Sequence, residues 1–371
     1  MKNKIKRKLY SILKNEFLAN MICPLFYLVA IFIFFIQKVF VAKPKIDYDA
    51  EQSRNILDKI YPNKVNIPTG EAYEDCFDYD ISVIIPCYNI EKYVGECINS
   101  VLNQKGNLKI QIVCVNDGST DNTLEVLNSF KDRITIINTV NNGSGVARNI
   151  GIDNAKGKYL FFLDSDDYLL PYCLIDCINT LEKNRFDFVS VGYCDFYDNK
   201  MIKRYGNSFC WGILYKREMF SVCRFPNNNV FEDTIKPFVL ETSQYKSIHI
   251  DKAYYMRRIL NSSITASVKK TLRGIGHLWV VESLAKFNRD NKMSTPEELY
   301  KLVLKHLGTV LLDRIGQYDM EIKYAAFMVA SEILKNYSVD SVNKLTYQNK
   351  KVQKYLLNNN YRGWELACKW L

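Results

Sequence analysis

The 371-residue sequence predicts an α/β fold: a mainly parallel open sheet with flanking helices, preceded by a membrane helix and followed by a helical region. Three observations predict it. Short apolar runs recur between about 81 and 192, each ending in a polar turn, and amphipathic helical spacing fills the intervals between them. Residues 17–37 carry no charge at all. Beyond 268 the strand signals stop and helical spacing takes over. The boundaries implied are 1–42 for a basic N-terminus and membrane anchor, 43–80 for a stem, 81–267 for the α/β domain and 268–371 for the helical region.

The net charge is +10, but nine basic residues precede position 46 against Glu16 alone. The remainder is near neutral, so no nucleic-acid footprint is present and no nucleic-acid partner is expected. Basic residues flanking an apolar run read as membrane chemistry. The run 17–37 would span about 31 Å as a helix, enough for a hydrocarbon core. Eleven cysteines without a CxxC pair read as reduced, buried thiols. His249, His277 and His306 are isolated, which excludes a histidine-based triad or zinc site.

In the stem a helix is expected over 50–60. Residues 81–86 form a first strand stopped by Pro86, with a turn at 87–89. Tyr93, Val94, Cys97, Val101 and Leu102 share one face of a helix over 91–104. A second buried strand, 110–115, ends in the turn Asn116-Asp117-Gly118-Ser119-Thr120-Asp121. A helix over 122–130, a strand at 134–137, a loop at 141–145 and a helix over 146–155 follow, and Gly157 breaks that helix before the next strand. The alternation demands right-handed crossovers and places successive strand exits on one edge. Further on come a helix over 171–183, a strand at 186–192, a mixed stretch at 208–215, and an amphipathic helix over 231–241 opened by Glu232-Asp233. A hairpin is expected from 248–250 and 253–257, then a Ser/Thr-rich loop at 261–267. Pro296 marks a helix start whose face carries Leu299, Leu302, Val303, Leu307, Val310 and Leu311; a helix over 321–336 and a packed C-terminal helix complete the chain.

The centre of the domain is the apolar run 159–163, which leads straight into Asp164, Ser165, Asp166 and Asp167. A run this apolar reads as a strand buried on both faces, and ligands bind at the carboxyl edge of such sheets. Asp164 and Asp166 offer two hard oxygens with open positions beside them, which suits Mg²⁺ or Mn²⁺ carried in with a phosphate. The competing reading is an acidic turn in which Asp167 caps the helix that begins near Pro171.

Five motifs in order resemble one family. They are Ile84-Ile85-Pro86-Cys87-Tyr88-Asn89, Val115 to Asp121, Asn142-Gly143 through Ala147-Arg148-Asn149, Phe162 to Asp167, and Phe231-Glu232-Asp233-Thr234. Together with Tyr254 to Arg258 they look like the family-two inverting glycosyltransferases of the GT-A fold, polysaccharide-building type, over roughly residues 80–260. The chain departs from that pattern at Ile213, where bacterial members often carry a basic residue, and in the altered glycine loop Gly143-Ser144-Gly145.

The resemblance implies a nucleotide-sugar donor, a UDP-sugar, held by Pro86, Tyr88, Asn89, Asp117, Ser119, Arg148 and Asp164, with a divalent metal on Asp164 and Asp166. It implies an acceptor side with Glu232 and Trp211, and Asp233 as the catalytic base for a saccharide or lipid-linked acceptor. The expected activity is hexosyl or N-acetylhexosaminyl transfer in cell-surface polysaccharide synthesis. The alternative is a non-catalytic membrane-bound carbohydrate-binding or scaffold protein of the same fold. Six basic residues before the apolar run hold the N-terminus in the cytoplasm, and a single span would put the domain outside. Pro24 offers a break at which the segment turns back, and reduced cysteines favour the cytosol. The expectation is a membrane-associated protein with its catalytic domain on the cytoplasmic face.

Overall fold

The computed structural model describes residues 23–24, 26, 46–70, 77–197, 200–204, 209–260, 271–339 and 341–370. The expected anchor over 17–37, apart from Cys23, Pro24 and Phe26, and the Ser/Thr-rich loop at 261–267 lie outside the described residues. Among the described residues no helix is long and apolar enough to cross a membrane. Two compact units emerge. Asn63–Thr295 is one; the described parts of Met1–Pro62 and Pro296–Leu371 form the other. The expected stem therefore divides between the units, and so does the region 268–371.

In the helical unit the first helix described over its whole length is α1 (Ala50–Ile60), set by a capping box in which Asp49 accepts from the Gln52 amide while the Gln52 side chain accepts from the Asp49 amide.

In the sheet unit, β1 (Tyr79–Cys87), α2 (Val94–Leu102), β2 (Ile110–Asp117), α3 (Thr123–Asn128), β3 (Thr135–Thr139), α4 (Ser144–Asp153) and β4 (Gly157–Phe162) follow the expected alternation. They pair in parallel in the order β3-β2-β1-β4. Pro86 does not stop β1. Pairing with β4 ends at Ile84 opposite Phe162, so Pro86 is paired on the β2 side alone, where proline is tolerated. Gly157 is the first residue of β4 and not the helix breaker, since the preceding helix already ends at Asp153. A Cβ there would stand 2.4 Å from the Ser82 amide nitrogen, so only glycine lets β4 approach β1 this closely.

Beyond β4 the strands are β5 (Tyr168–Leu169), β6 (Phe188–Tyr197), β7 (Lys200–Arg204), β8 (Ile213–Lys216) and β9 (Ser247–Arg258), with α5 (Cys173–Asn184) and α6 (Met219–Val222) between them. Here the mainly parallel expectation gives way to a mixed sheet. The β4–β8, β8–β6, β6–β7 and β9–β5 pairings are antiparallel, and only β6–β9 is parallel. The expected hairpin at 248–257 is the single strand β9. The register shifts beside Gly192, so Val191 pairs with Ile250 and Gly192 with Ala253, and Asp251-Lys252 form a bulge. The expected helix over 231–241 is a 3-10 turn, Glu232–Thr234, followed by a π turn, Lys236–Leu240. Pro237 removes a helical donor there, and burial of Lys236, Phe238, Val239 and Leu240 leaves no solvated face. Helix α7 (Gly276–Asp290) closes this unit.

In the helical unit, α8 (Pro296–Lys305) starts on its proline as expected. The helix expected to continue through Leu311 is kinked at Gly308, before α9 (Leu311–Ile315). Helices α10 (Met320–Lys335), α11 (Tyr347–Leu357) and α12 (Tyr361–Trp370) pack round Trp364, which is fully buried and donates to the Leu307 carbonyl at 3.2 Å.

Candidate active site

Parallel β1, β2 and β4 bring three polar exits to one edge. The first two are tied together. Asn89, at φ 48°, accepts from the Thr120 amide at 2.8 Å, and its own amide donates to Ser119 Oγ at 3.1 Å. Pro86 is half-buried in the strand before it, and Tyr88 is exposed. Asp117 is 3% exposed; its two carboxylate oxygens accept from the amides of Asn142 (2.9 Å) and Gly143 (2.8 Å). Its first role is therefore to hold the loop before α4, and each oxygen keeps a further lone pair for a ligand N–H. Gly118 allows this approach: a Cβ would meet the Asn141 amide at 2.7 Å.

Helix α4 starts at Ser144, two residues earlier than expected, with Gly143 at φ 89° before it. One turn in, Arg148 is 4% exposed and bridges two acids from distant parts of the chain. Its Nη2 donates to Asp164 Oδ1 at 2.9 Å and its Nη1 to Glu232 Oε1 at 2.7 Å, while Ser144 Oγ also donates to Glu232 Oε1. Its guanidinium carbon lies 5.5 Å from the Phe225 ring centroid. Burial alone would lower the ionisation of Arg148, but Asp164, Asp233 and Glu232 outweigh it and hold the charge firmly. The next residue, Asn149, fixes the facing segment by exchanging hydrogen bonds with the Phe225 backbone at 2.8 and 2.9 Å.

Asp233 sits beside this cluster. Burial first, then Glu232 and Asp164, push its carboxyl up to about 6, against the opposing pull of Arg148. The Cys210 amide donates weakly to it at 3.4 Å. Trp211, expected on the acceptor side, is 3% exposed. It stacks on Phe209 (centroids 4.7 Å apart) and on Tyr255 (4.3 Å), so both ring faces are covered by protein.

The Asp164–Asp167 turn is held from β9. The Tyr255 hydroxyl donates to Asp167 Oδ2 at 2.7 Å and accepts from the Asp164 amide at 3.1 Å. The Arg258 amide donates to Asp167 Oδ1 at 2.7 Å and its Nε to the Asp166 carbonyl at 3.0 Å. Asp167 is thus a buried anchor for the turn and not the cap of α5, which begins at Cys173 behind Tyr172 at φ 72° without a side-chain cap. Asp166 is pushed up to about 6 by burial and then by Asp164, with Arg258 and Arg257 offsetting only part of this. Among the described residues no group of three or more His, Cys, Asp or Glu side chains is placed to close round a metal ion. Two carboxylates two residues apart, Asp166 pushed up by burial and by Asp164, fit a hard divalent cation whose remaining ligands are phosphate and water.

The sequence reading left Ser144, Cys210, Tyr255 and Arg258 without roles. For Ser144 a signal was present, since Gly-Ser ahead of an apolar helical pattern marks an N-terminus. Tyr255 and Arg258 become site residues only through β9 pairing beside β5.

A half-open sheet whose carboxyl edge gathers hydrogen-bonding turns, an acid pair and a buried carboxylate defines a group-transfer site of the GT-A class. The crystal structure of S. aureus TarS 1–349 in complex with UDP-GlcNAc shares the fold, with a TM-score of 0.63 at 16% identity over 78% of this chain and 90% of that one. The model of glycosyl transferase family 2 matches residues 82–238. Glycosyltransferase GlyG of Streptococcus pneumoniae serotype 4 is 30% identical over 215 residues, 48% of this chain and 71% of that protein. The poly(ribitol-phosphate) beta-glucosyltransferase of Bacillus spizizenii is 41% identical over 113 residues, 29% of this chain and 18% of that protein. The chain belongs to glycosyl transferase family 2. It spans 18% to 66% of the length of the first curated relatives it matches.

Proposed function

We propose that the protein is a metal-dependent inverting glycosyltransferase. It moves a hexosyl or N-acetylhexosaminyl group from a UDP-sugar to a saccharide or lipid-linked acceptor in cell-surface polysaccharide synthesis. The observation that carries the reading is the buried Asp233 carboxyl at about 6, beside the Arg148 that meets both Asp164 and Glu232. At pH 7 such a carboxylate is mostly ionised and still basic enough to take the proton of an attacking hydroxyl. Arg148 pairs with Asp164 on the donor side and with Glu232 on the acceptor side. The tied turns at Asn89, Asp117 and Ser119 receive the base and ribose. Asp164 and Asp166 would hold Mg²⁺ or Mn²⁺, which when bound supplies Lewis-acid neutralisation of the leaving diphosphate. One base opposite one leaving group favours single displacement with inversion. The UDP-GlcNAc in the TarS crystal and the poly(ribitol-phosphate) in the relative's name support the donor and acceptor classes.

We place the catalytic unit on the cytoplasmic face of a membrane, on the strength of the basic, apolar N-terminal sequence and of cysteines buried as thiols throughout the sheet unit. Protease added to intact cells should leave residues 80–260 uncut. The function is tested by a thermal-shift and turnover panel of nucleotide sugars with Mn²⁺. A donor present at a hundred times its dissociation constant adds about 2.7 kcal/mol of stability. A panel with no stabilisation and no sugar transfer overturns the reading.

A further inference from the structure

Strand β6 outruns its neighbour β8, with β9 paired beside it as far as Phe196. Ser190 is its last residue paired with β8, opposite Ile213, yet the strand runs on to Tyr197, about 23 Å further at 3.3 Å per residue. Because β8 is antiparallel to both β4 and β6, that extension points past the carboxyl edge, where the Asp164–Asp167 turn lies. Strand β7 pairs back onto it, Arg204 with Tyr193 through Lys200 with Tyr197. One pair from its turn the hairpin is tied to the site: the Arg258 guanidinium lies 4.5 Å from the Phe196 ring centroid and donates to the Asp166 carbonyl.

Every residue of β7 is exposed, so the strand is buried on neither face. Met201 is 65% exposed, Ile202 50% and Tyr197 50%. Lys200 and Lys203 flank Met201-Ile202, so Tyr197, Lys200 and Ile202 share one face and Met201 and Lys203 the other, while Arg204 is partly drawn inward by Asp195 at 2.9 Å.

We propose that the β6–β7 hairpin docks on an anionic lipid surface beside the active-site edge. Lysines reach acidic headgroups while Met201, Ile202 and Tyr197 enter the headgroup–acyl boundary, the same pairing of basic and apolar side chains that holds interfacial helices. A water-soluble polyanion would complement the lysines and leave the apolar side chains without a partner. A second copy of the chain, added antiparallel at the open β7 edge about Ile202, would set Lys200 against Arg204 twice, and like charges on an edge strand oppose such pairing. The proposal does not require the N-terminal run to enter the bilayer, nor the site to transfer a sugar.

The test is hydrogen–deuterium exchange across 193–204 in the full-length chain, with neither donor nor acceptor present. Three additions are compared: phosphatidylglycerol vesicles, phosphatidylcholine vesicles and soluble polyphosphate. Slowed hairpin exchange with phosphatidylglycerol alone, reversed by salt, supports the proposal. In Lys200→Ser or Lys203→Ser, half-protection should need about fivefold more vesicle lipid per charge removed. Met201→Ser combined with Ile202→Ser should also weaken it. Unchanged hairpin exchange in vesicle-bound chain overturns the proposal. So does equal protection by polyphosphate, or protection that grows with protein concentration in the absence of vesicles.

Discussion

Replacing Asp233 with Asn separates the base from the fold. The carboxyl rises from the ordinary 3.8 to about 6, chiefly because it is buried. At about 1.4 kcal/mol per pH unit, holding it ionised costs the native state about 3 kcal/mol. The sign follows from the direction of the shift. The native state binds this proton more tightly than the unfolded chain, so the benefit of the protonated form is complete below pH 3.8 and is lost as pH rises through about 6. The introduced amide resembles that protonated form and can still accept from the Cys210 amide. Asp233→Asn should therefore be more stable than the parent at pH 7–8, by up to about 3 kcal/mol, with the gain shrinking to nothing near pH 4. Turnover should fall roughly 10²–10⁴-fold. Asp233 and Asp166 both rise to about 6, so the acid limb of kcat/KM near 6 in the parent should become shallower in the residual rate, with only the Asp166 step left. Urea melts across pH and a pH–rate series measure both. A variant whose acid limb keeps its full steepness, or whose stability change does not vary with pH, would refute the assignment of this carboxyl.

Asp164→Ala and Asp166→Ala should each abolish donor-dependent transfer with the far-ultraviolet spectrum unchanged; full activity of the parent in excess EDTA would remove the metal from the mechanism. Arg148→Met leaves Glu232 buried beside Asp164 without a counter-charge and should cost about 3–5 kcal/mol in a denaturant melt, part of it recovered by adding Glu232→Gln. Tyr255→Phe strips a donor from buried Asp167 and should cost about 1–3 kcal/mol, with calorimetry on donor plus Mn²⁺ showing weaker binding. Gly157→Ala forces a methyl group toward the Ser82 backbone and should lower the melting midpoint without altering donor KM.

What could be read from sequence was what local periodicity encodes. The runs at 81–86, 110–115 and 159–163 are buried strands because each is apolar throughout, and their exits carry the turns that meet at the sheet edge. Asp164, Glu232 and Arg148 were each singled out, but their meeting through one guanidinium depends on how 224–233 packs against α4, which no spacing announces. The readings that changed lie where tertiary contacts override local pattern. Residues 231–241 carry helical spacing, yet Pro237 and burial on all sides yield two short turns. Asp251-Lys252 look like a hairpin turn and are a bulge, because β9 runs on beside β6 across Gly192. Trp211 is aromatic and next to a glycine in a loop-like stretch, and its burial between two other rings depends on strands far away in the chain.

The single guanidinium of Arg148 also makes the two halves of the site answer to each other. Its two terminal nitrogens are committed to acids from opposite sides, Asp164 and Glu232. Any positive charge that settles on Asp164 competes for the carboxylate Arg148 now holds, and Glu232 then gains a larger share of that nitrogen-borne charge. By thermodynamic reciprocity, a molecule that engages Glu232 changes the affinity at Asp164 by the same factor. On the proposed assignment, donor and acceptor affinities are not independent constants, and each should be measured at several fixed levels of the other.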